Sequence, residues 1–392
     1  MTNGHATHYG SRHIHRHFHR IAWLAVALAL GVIVFGAFVR LSHAGLSCPD
    51  WPTCYGRATW PQAAEHVADH AASSIREFED HKAWREQVHR HAAAILGLLV
   101  LAMALLAARR RPRGITQVLA AAGVVAVAIP VYMSGAHVAA AVLAVAGEAI
   151  LLAAALRWRG GDLAREAALT LAVIIFQALL GMWTVTWLLK PLVVMGHLLG
   201  GLLTFSLLAW MAWRAVDRPI VLAYAGRLRC LLWGALAVLG VQVALGGWVS
   251  ANYAALSCGA GGWSVANFPQ CGGMWLPPTD FSEGFVLWRG IGVDYEGGVL
   301  DGAARIAIHV AHRLGAVVAA AVLLWAAVRM LRTPGLRGWG TVLALLTVAQ
   351  VTLGVLNVKL SLPLPVAVMH NGGAALLVFV LVSLLARLRG VD

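Results

Sequence analysis

The sequence predicts an all-α membrane protein: a polytopic helical bundle with two pseudo-symmetric four-helix halves and an inserted two-helix hairpin. Of the 392 residues, 60% are hydrophobic and only 12% are charged, which is more apolar material than a soluble domain usually holds. Apolar stretches of about 20 residues, the length that crosses a bilayer, recur from Ile21 to Ala386. Matching motifs in the two parts of the chain indicate the repeat.

The apolar stretches and the breaks between them predict ten spans. They cover residues 21–41, 88–108, 115–134, 137–157, 166–187, 191–213, 228–250, 304–327, 338–358 and 364–386. If the N-terminus is cytoplasmic, every dense arginine cluster falls on the cytoplasmic side, at residues 12–20, 109–113, 157–165, 214–229, 329–337 and 387–389. We therefore expect a bacterial inner-membrane protein with both termini inside and the long loops 42–87 and 251–303 on the periplasmic side.

The arginine clusters also account for the formal net charge of +13. They flank apolar runs instead of covering one soluble face, so the sequence does not predict a nucleic-acid partner. Residues 1–20 are predicted to form a cytoplasmic tail that carries six histidines: His5, His8, His13, His15, His17 and His19. Such a tract is a compositional metal-binding signal only, and a solvated tail without chemistry is the expectation.

Four of the five cysteines lie in the two long loops. Cys48 and Cys54 are in the first, Cys258 and Cys271 are in the second, and Cys230 lies at a helix end. A disulfide within each loop suits the oxidising side of the membrane. The spacings lack the CxxC pairs typical of zinc sites, so disulfides are favoured, with free or metal-bound thiols as the alternative.

The first sign of an internal repeat is a shared motif. QALLGMWTV begins at Gln177 and QVTLGVLNV begins at Gln350, with Gln, Leu, Gly and Val at the same offsets. A histidine follows each glutamine at the same separation of 20 residues: His197 in the first copy and His370 in the second. A short turn that contains proline lies between motif and histidine in both copies.

A second shared element is the dipeptide His-Arg near the start of a predicted span, at His89 and at His312. From His89 to His197 the separation is 108 residues, whereas from His312 to His370 it is 58, a difference of 50. One helical hairpin has about that length. We therefore predict halves at residues 21–213 and 214–392, related as a parallel repeat, with a hairpin inserted near residues 113–163 of the first half.

The repeat places two histidines in each half near the same membrane face. Ionisable side chains within a membrane usually mark a site, a pathway or a cofactor, and a histidine pair on facing helices is typical of axial haem ligation in a helical bundle. Zinc is the competing ligand, but it would need a third protein ligand near each pair. Any single histidine could instead form an interhelical hydrogen bond.

The two halves differ beside these histidines. Glu86 precedes His89 by three residues, so the two share a helix face, whereas His309 occupies the equivalent position before His312. A carboxylate there could orient the imidazole or move protons, or it could simply favour a solvated helix N-terminus. Arg90 and Arg313 are candidates for contacts with haem propionates, with an interfacial anchor as the alternative.

Taken together, five motifs resemble the haem A synthase family. They are GAFVRLSHAGLSCPDWPTCYG (residues 36–56), EQVHR (86–90), QALLGMWTV with a following HL, IHVAHRLGA (308–316), and QVTLGVLNV with LPLPVAVMHNGGAALL. The resemblance covers nearly the whole chain in order. It implies an eight-helix core and an enzyme that oxidises the C8 methyl group of haem O to the formyl group of haem A. The inserted hairpin departs from the family's plan.

Carried over by position, the resemblance implies that His89 and His197 face the substrate haem O and that Glu86 is the catalytic acid. It also implies that His312 and His370 ligate a haem b. The cysteine pairs Cys48–Cys54 and Cys258–Cys271 resemble those of cysteine-containing members, although the second pair spans a longer glycine-rich stretch. Implied partners are a haem O synthase, which is a farnesyltransferase, an electron donor and membrane lipid; a homo-oligomer is compatible with this interpretation.

Two other hypotheses use the same histidines. A dihaem b-type electron carrier linked to quinol would ligate both haems through histidine pairs, but Glu86 and the unequal halves argue against it. A transporter with a parallel repeat would use the histidines as a proton relay.

Overall fold

The computed structural model describes residues 17–67, 77–223, 225–259 and 268–390. Within these ranges ten helices are long and apolar enough to cross a membrane, which confirms the predicted polytopic all-α fold. The helices are α1 (Phe18–Leu41), α2 (Asp80–Ala108), α3 (Gly114–Met133), α4 (His137–Arg157), α5 (Ala164–Thr186), α6 (Pro191–Val216), α7 (Ala225–Ala251), the short α8 (Phe281–Gly284), α9 (Gly302–Leu331), α10 (Arg337–Lys359) and α11 (Leu364–Arg387). The tail histidines before residue 17 lie outside the described residues.

Helix α2 begins eight residues earlier than the predicted span, at Asp80 instead of residue 88. Its first turns are polar, and hydropathy identifies only the apolar part of a helix that continues beyond the bilayer. Helix α9 likewise starts at Gly302, where the Asp301 carboxylate accepts a hydrogen bond from the Ala304 N–H at 2.8 Å and caps the helix. The expectation that His89 and His312 lie near the start of their helices is therefore wrong, because each lies about three turns into its helix.

Eight of the ten described spanning helices form two rings of four. In the first ring α1 packs on α2, α2 on α5, α5 on α6 and α6 on α1, and in the second α7, α9, α10 and α11 repeat the same order. Helices α3 and α4 pack mainly on each other and lie outside the first ring against α2 and α5. The two four-helix halves and the inserted hairpin are therefore present as predicted.

The two rings meet along α6 and α11, with α1 against α11 and α6 against α7 on either side. Aromatic side chains fill this interface: the rings of Phe205 and Phe379 have centroids 5.9 Å apart, and Trp23 meets Trp213 edge-on at 5.0 Å. The Trp213 indole N–H donates to the Ser383 hydroxyl at 2.8 Å, which satisfies the one polar atom of that ring. One continuous core therefore joins both halves.

Successive helices run up and down, so the loops fall on two faces. We call the face that carries the two disulfides the disulfide face, and the opposite face, with loops 109–113, 158–163, 217–223 and 332–336, the arginine face. On the arginine face two short parallel strands, β1 (Ile220–Leu222) and β2 (Leu388–Gly390), join the linker between halves to the C-terminal end. This small sheet is absent from the sequence-based prediction, because three-residue strands carry no readable periodicity.

Candidate functional site

A single cavity of about 1900 Å³ runs through both halves near the disulfide face. Single-ligand pockets usually hold about 300–1,000 Å³, so this one has room for two large ligands. Its lining is mostly apolar, and all four sequence-predicted histidines lie in it: His89, His197, His312 and His370. The structure thus brings together the residues that the repeat singled out.

In the first half each histidine ring lies against a glycine of the preceding ring helix. A Cβ atom built on Gly36 would lie only 2.8 Å from Cε1 of His89, and one built on Gly181 would lie 3.3 Å from Cε1 of His197. Carbon atoms in contact normally stay about 3.5–4.0 Å apart. Glycine at both positions therefore lets the imidazole lie directly on the helix backbone.

The second half repeats this arrangement. A Cβ atom on Gly246 would lie 3.1 Å from Cε1 of His312, and one on Gly354 would lie 3.1 Å from Cε1 of His370. Gly354 is the shared glycine of the repeated Gln-x-x-Leu-Gly motif. The sequence shows it as a marker of the repeat, but its role as a seat for the histidine is visible only once the helices are packed.

Glutamines in the second half support both of its histidines. The Gln242 amide nitrogen lies 3.0 Å from Nδ1 of His312 and donates to the His312 carbonyl at 3.1 Å, and the Gln350 amide donates to the His370 carbonyl at 2.9 Å. The Nδ1 atoms of His89, His197 and His370 have no hydrogen-bond partner among the described atoms. His312 therefore differs from the other three histidines in having a side-chain partner at Nδ1.

Glu86 is buried, with 4% of its surface exposed. Its carboxylate accepts a hydrogen bond from the Cys48 N–H at 2.8 Å and pairs with the Arg90 guanidinium at 2.5 Å. This placement excludes the alternative of a solvated acid at a helix N-terminus. In the second half the equivalent His309 is also buried, and its Nδ1 lies 2.9 Å from the Ala254 carbonyl.

The zinc alternative finds no support in this arrangement. In the part of the chain that the structure describes, no three His, Cys, Asp or Glu side chains come together as a metal site. Structural zinc needs four ligands and catalytic zinc three from the protein. Each histidine pair supplies two, which suits the two axial positions of a haem iron.

Comparison with known proteins decides the family. A family model described as cytochrome oxidase assembly protein (COX15-CtaA) matches residues 19–136 and 133–382. The chain belongs to the COX15-CtaA family. It is 37% identical over 374 residues to a protein of Shewanella oneidensis named haem A synthase, covering 93% of this chain and 96% of the relative. It is also 36% identical over 168 residues to a haem A synthase of Rhodospirillum centenum, covering 42% of this chain and 40% of that relative.

In this member of the COX15-CtaA family, the arginine of each His-Arg dipeptide donates hydrogen bonds to the backbone of a disulfide loop. Arg90 donates to the carbonyl oxygens of Asp50 and Thr53, both at 2.7 Å, and to that of Cys48 at 3.0 Å. Together with Glu86, these acceptors use all four Nη hydrogens of Arg90. A haem propionate could reach them only by displacing one acceptor, so the contact expected for Arg90 stays a prediction.

Arg313 has the same relation to the second loop. Its guanidinium donates to the carbonyl oxygens of Pro269 at 3.0 Å and Gln270 at 3.3 Å, and it lies 5.1 Å from the centre of the Phe268 ring. Its Nε atom is buried without a hydrogen-bond partner. The propionate contact expected for Arg313 therefore also stays a prediction.

Both disulfides expected from the cysteine pairs are formed, Cys48–Cys54 and Cys258–Cys271, and Cys230 is free and exposed. The second cysteine of each pair follows an aromatic-Pro-x sequence, WPT before Cys54 and FPQ before Cys271. This shared sequence, which is not among the motifs that predicted the repeat, extends the internal repeat into the loops.

A polar cluster on the contact between the halves was also missed. Arg40 of α1 donates to the Tyr253 hydroxyl at 3.1 Å and to the Ser250 carbonyl at 2.9 Å, and its guanidinium lies 4.5 Å from the centre of the Tyr253 ring. His43 stacks on Tyr253 at 6.0 Å. Burial and the neighbouring Arg40 charge lower the pKa of His43. These residues also line the cavity.

Proposed function

We propose that this membrane enzyme is a haem A synthase, which oxidises the C8 methyl group of haem O to the formyl group of haem A. The observation that carries the proposal is a cavity with two histidine pairs and, among the residues that the structure describes, one buried carboxylate, Glu86, which lies beside the first pair. The family and the names of its relatives agree with this chemistry.

The reaction has three stages at one carbon. A first hydroxylation converts the methyl group to a hydroxymethyl group, and a second gives a carbon with two hydroxyl groups. Each hydroxylation replaces one C–H bond with a C–OH bond: with water as the oxygen source it releases two protons and two electrons to an electron acceptor, and with dioxygen two protons and two electrons from a donor reduce the second oxygen atom to water. Loss of water from the doubly hydroxylated carbon then leaves the aldehyde. The protein must therefore hold the methyl group beside a residue that can accept or supply protons.

In this proposal the first half, residues 21–213, holds the substrate between His89 and His197. The glycines beneath the two rings fix their position, because no side chain separates the imidazole from the backbone. Glu86 lies one turn before His89 on α2. Its hydrogen bonds to the Cys48 N–H and Arg90 hold a negative charge within the protein, ready to stabilise positive charge or to accept a proton as the methyl group is oxidised.

The second half, residues 214–392, would hold haem b between His312 and His370. The residues fit such a group: both imidazoles line the apolar cavity, and Nδ1 of His370 is a buried atom without a partner. When bound, haem b would supply one-electron transfer. Gln242 and Gln350 position the two ligands through their hydrogen bonds.

We also propose the orientation in the membrane. The arginine face would lie in the cytoplasm of a bacterial cell with both termini, because arginine clusters favour that side. The disulfide face would lie in the periplasm, where disulfides persist. A haem O synthase would supply the substrate and a separate electron-transfer partner would serve haem b.

The test is to supply haem O to membranes that contain the protein and to identify the pigments by extraction. Haem A should accumulate with this chain and not with a Glu86→Gln variant. Full loading with haem b but no haem A would overturn the proposal and favour the dihaem electron carrier. Absence of a Soret band despite adequate haem supply would instead favour the transporter.

A further inference from the structure

The inserted hairpin forms an extra part of the cavity. Helix α3 lies outside α2, and α4 lies outside α5. Small residues of the hairpin line the cavity here: Ala122 and Ala126 from α3 and Ala141 and Ala144 from α4. Gly97 of α2 lines the same space, and a Cβ atom on it would meet nothing within 4 Å. We call the space bounded by these five residues the hairpin wing.

The hairpin wing exists in one half only. Ala94 lies five residues after His89 and lines the cavity, and Val317 lies five residues after His312. Val317 and Val351, the equivalent of Ala178 in the motif, line the cavity as well, but no described membrane-spanning helix packs outside α9 and α10. The opening between the two ring helices is therefore covered by the hairpin in the first half, and no described spanning helix covers the equivalent opening in the second.

The two proposed ligands also differ, because only one of them has a part that could occupy the hairpin wing. Haem O is the product of a farnesyltransferase and carries a long apolar tail, whereas haem b has none. The hairpin wing belongs to the same cavity as the space beside His89 and His197, and the five residues that bound it are small and apolar. Tyr132 and His137, with ring centroids 4.9 Å apart, lie where the wing reaches the disulfide face, and Trp51 of the first loop packs on Tyr132.

We propose that the hairpin wing binds the isoprenoid tail of haem O and thereby makes the first half selective for a tailed haem. This inference rests on the proposed function. A tail that leaves the wing can enter lipid, which is equally apolar, so the wing acts through van der Waals packing and not through transfer from water. A bulky side chain placed in the wing should therefore weaken the binding of haem O, because the tail and the new side chain would compete for the same space.

The experiment fills the wing and leaves the histidines untouched. Ala126→Phe and Ala141→Phe place a ring inside the wing, and Ala120→Phe and Ala146→Phe place the same ring on exposed positions of α3 and α4 that do not line the cavity. Purified protein that carries its own haem b is titrated with haem O and, separately, with added haem b. The haem b that co-purifies reports on folding, and Ala126→Leu serves as a milder filling if a phenylalanine variant lacks it.

The Kd for haem O should rise roughly fivefold or more in the two filled variants and stay at the wild-type value in the two controls. The Kd for added haem b should be the same in all of them. An equal rise in the Kd for both haems, or an unchanged Kd for haem O, would overturn the proposal. The conversion of haem O to haem A is measured in parallel. Wild-type protein that binds haem O in the wing but forms no haem A would refute the proposed function without refuting the proposed role of the wing in binding.

Discussion

Replacement of Gly36 by alanine tests the close contact between this glycine and the His89 ring, which is on the proposed substrate side. The new Cβ atom would lie 2.8 Å from Cε1 of His89, whereas carbons in contact rest at about 3.5–4.0 Å. The imidazole must therefore retreat by roughly 0.7 Å or more. A functional site tolerates about 0.5 Å of displacement, and a misplacement near 1 Å can cost about a hundredfold in rate. We expect haem A formation to fall by about that factor in Gly36→Ala.

The chain offers matched controls for this variant. Gly31 lies on the same helix, and a Cβ atom on it meets nothing within 4 Å, so Gly31→Ala should keep full activity and stabilise the helix by about 0.5–1 kcal/mol. Gly246→Ala makes the equivalent change beside His312, where the distance of 3.1 Å requires a shift of only roughly 0.4 Å. That variant should lose part of its haem b, and Gly36→Ala should keep all of it.

The assay combines pigment extraction, which counts haem b, with the initial rate of haem A formation from added haem O. Full haem b together with a strongly reduced rate is the expected signature of Gly36→Ala. A rate equal to that of Gly31→Ala would refute the reasoning, because the ring of His89 would then tolerate the methyl group. Equal loss of haem b in Gly36→Ala and Gly246→Ala would show that the two histidine pairs do not hold separate groups.

Four further predictions concern the same site. His312→Ala should purify without haem b, and an unchanged Soret band would contradict the assignment. Glu86→Gln should keep haem b and stop turnover, so a normal rate of haem A formation would show that the carboxylate is not needed. Arg90→Ala leaves the buried Glu86 without its cation and should lower stability by about 3–5 kcal/mol, measured as a fall in Tm; a Tm like that of wild type would contradict this. Cys48 and Cys54 should react with an alkylating agent only after reduction, and alkylation in native membranes without reductant would exclude the disulfide.

The linear pattern of the sequence was enough to predict the fold. Hydropathy alone locates ten spans, because a bilayer demands about 20 apolar residues from each crossing helix. The equal separations from Gln177 to His197 and from Gln350 to His370 reveal the repeat without any structure. The polar start of α2 was placed in a loop, since hydropathy reports the bilayer and not the helix that continues past it.

The roles of individual residues needed the tertiary structure. Arg90 and Arg313 carry the same charge as any interfacial arginine in the sequence, and only the folded loops show that backbone carbonyls surround them. Glu86 likewise could have been a solvated acid, and its burial depends on a loop 38 residues away in sequence that brings Cys48 against it.

The sequence by itself determined the number of helices, the two halves, the four histidines and the site of the insertion, because these follow from composition and spacing along one chain. Only the tertiary structure decided that glycines on neighbouring helices seat the histidines and that the hairpin walls one half of the cavity and not the other. The physical reason is that close approach and enclosed space are properties of packed helices. The role of a glycine or an alanine in close approach or in lining a cavity cannot be assigned until its neighbour in space is known.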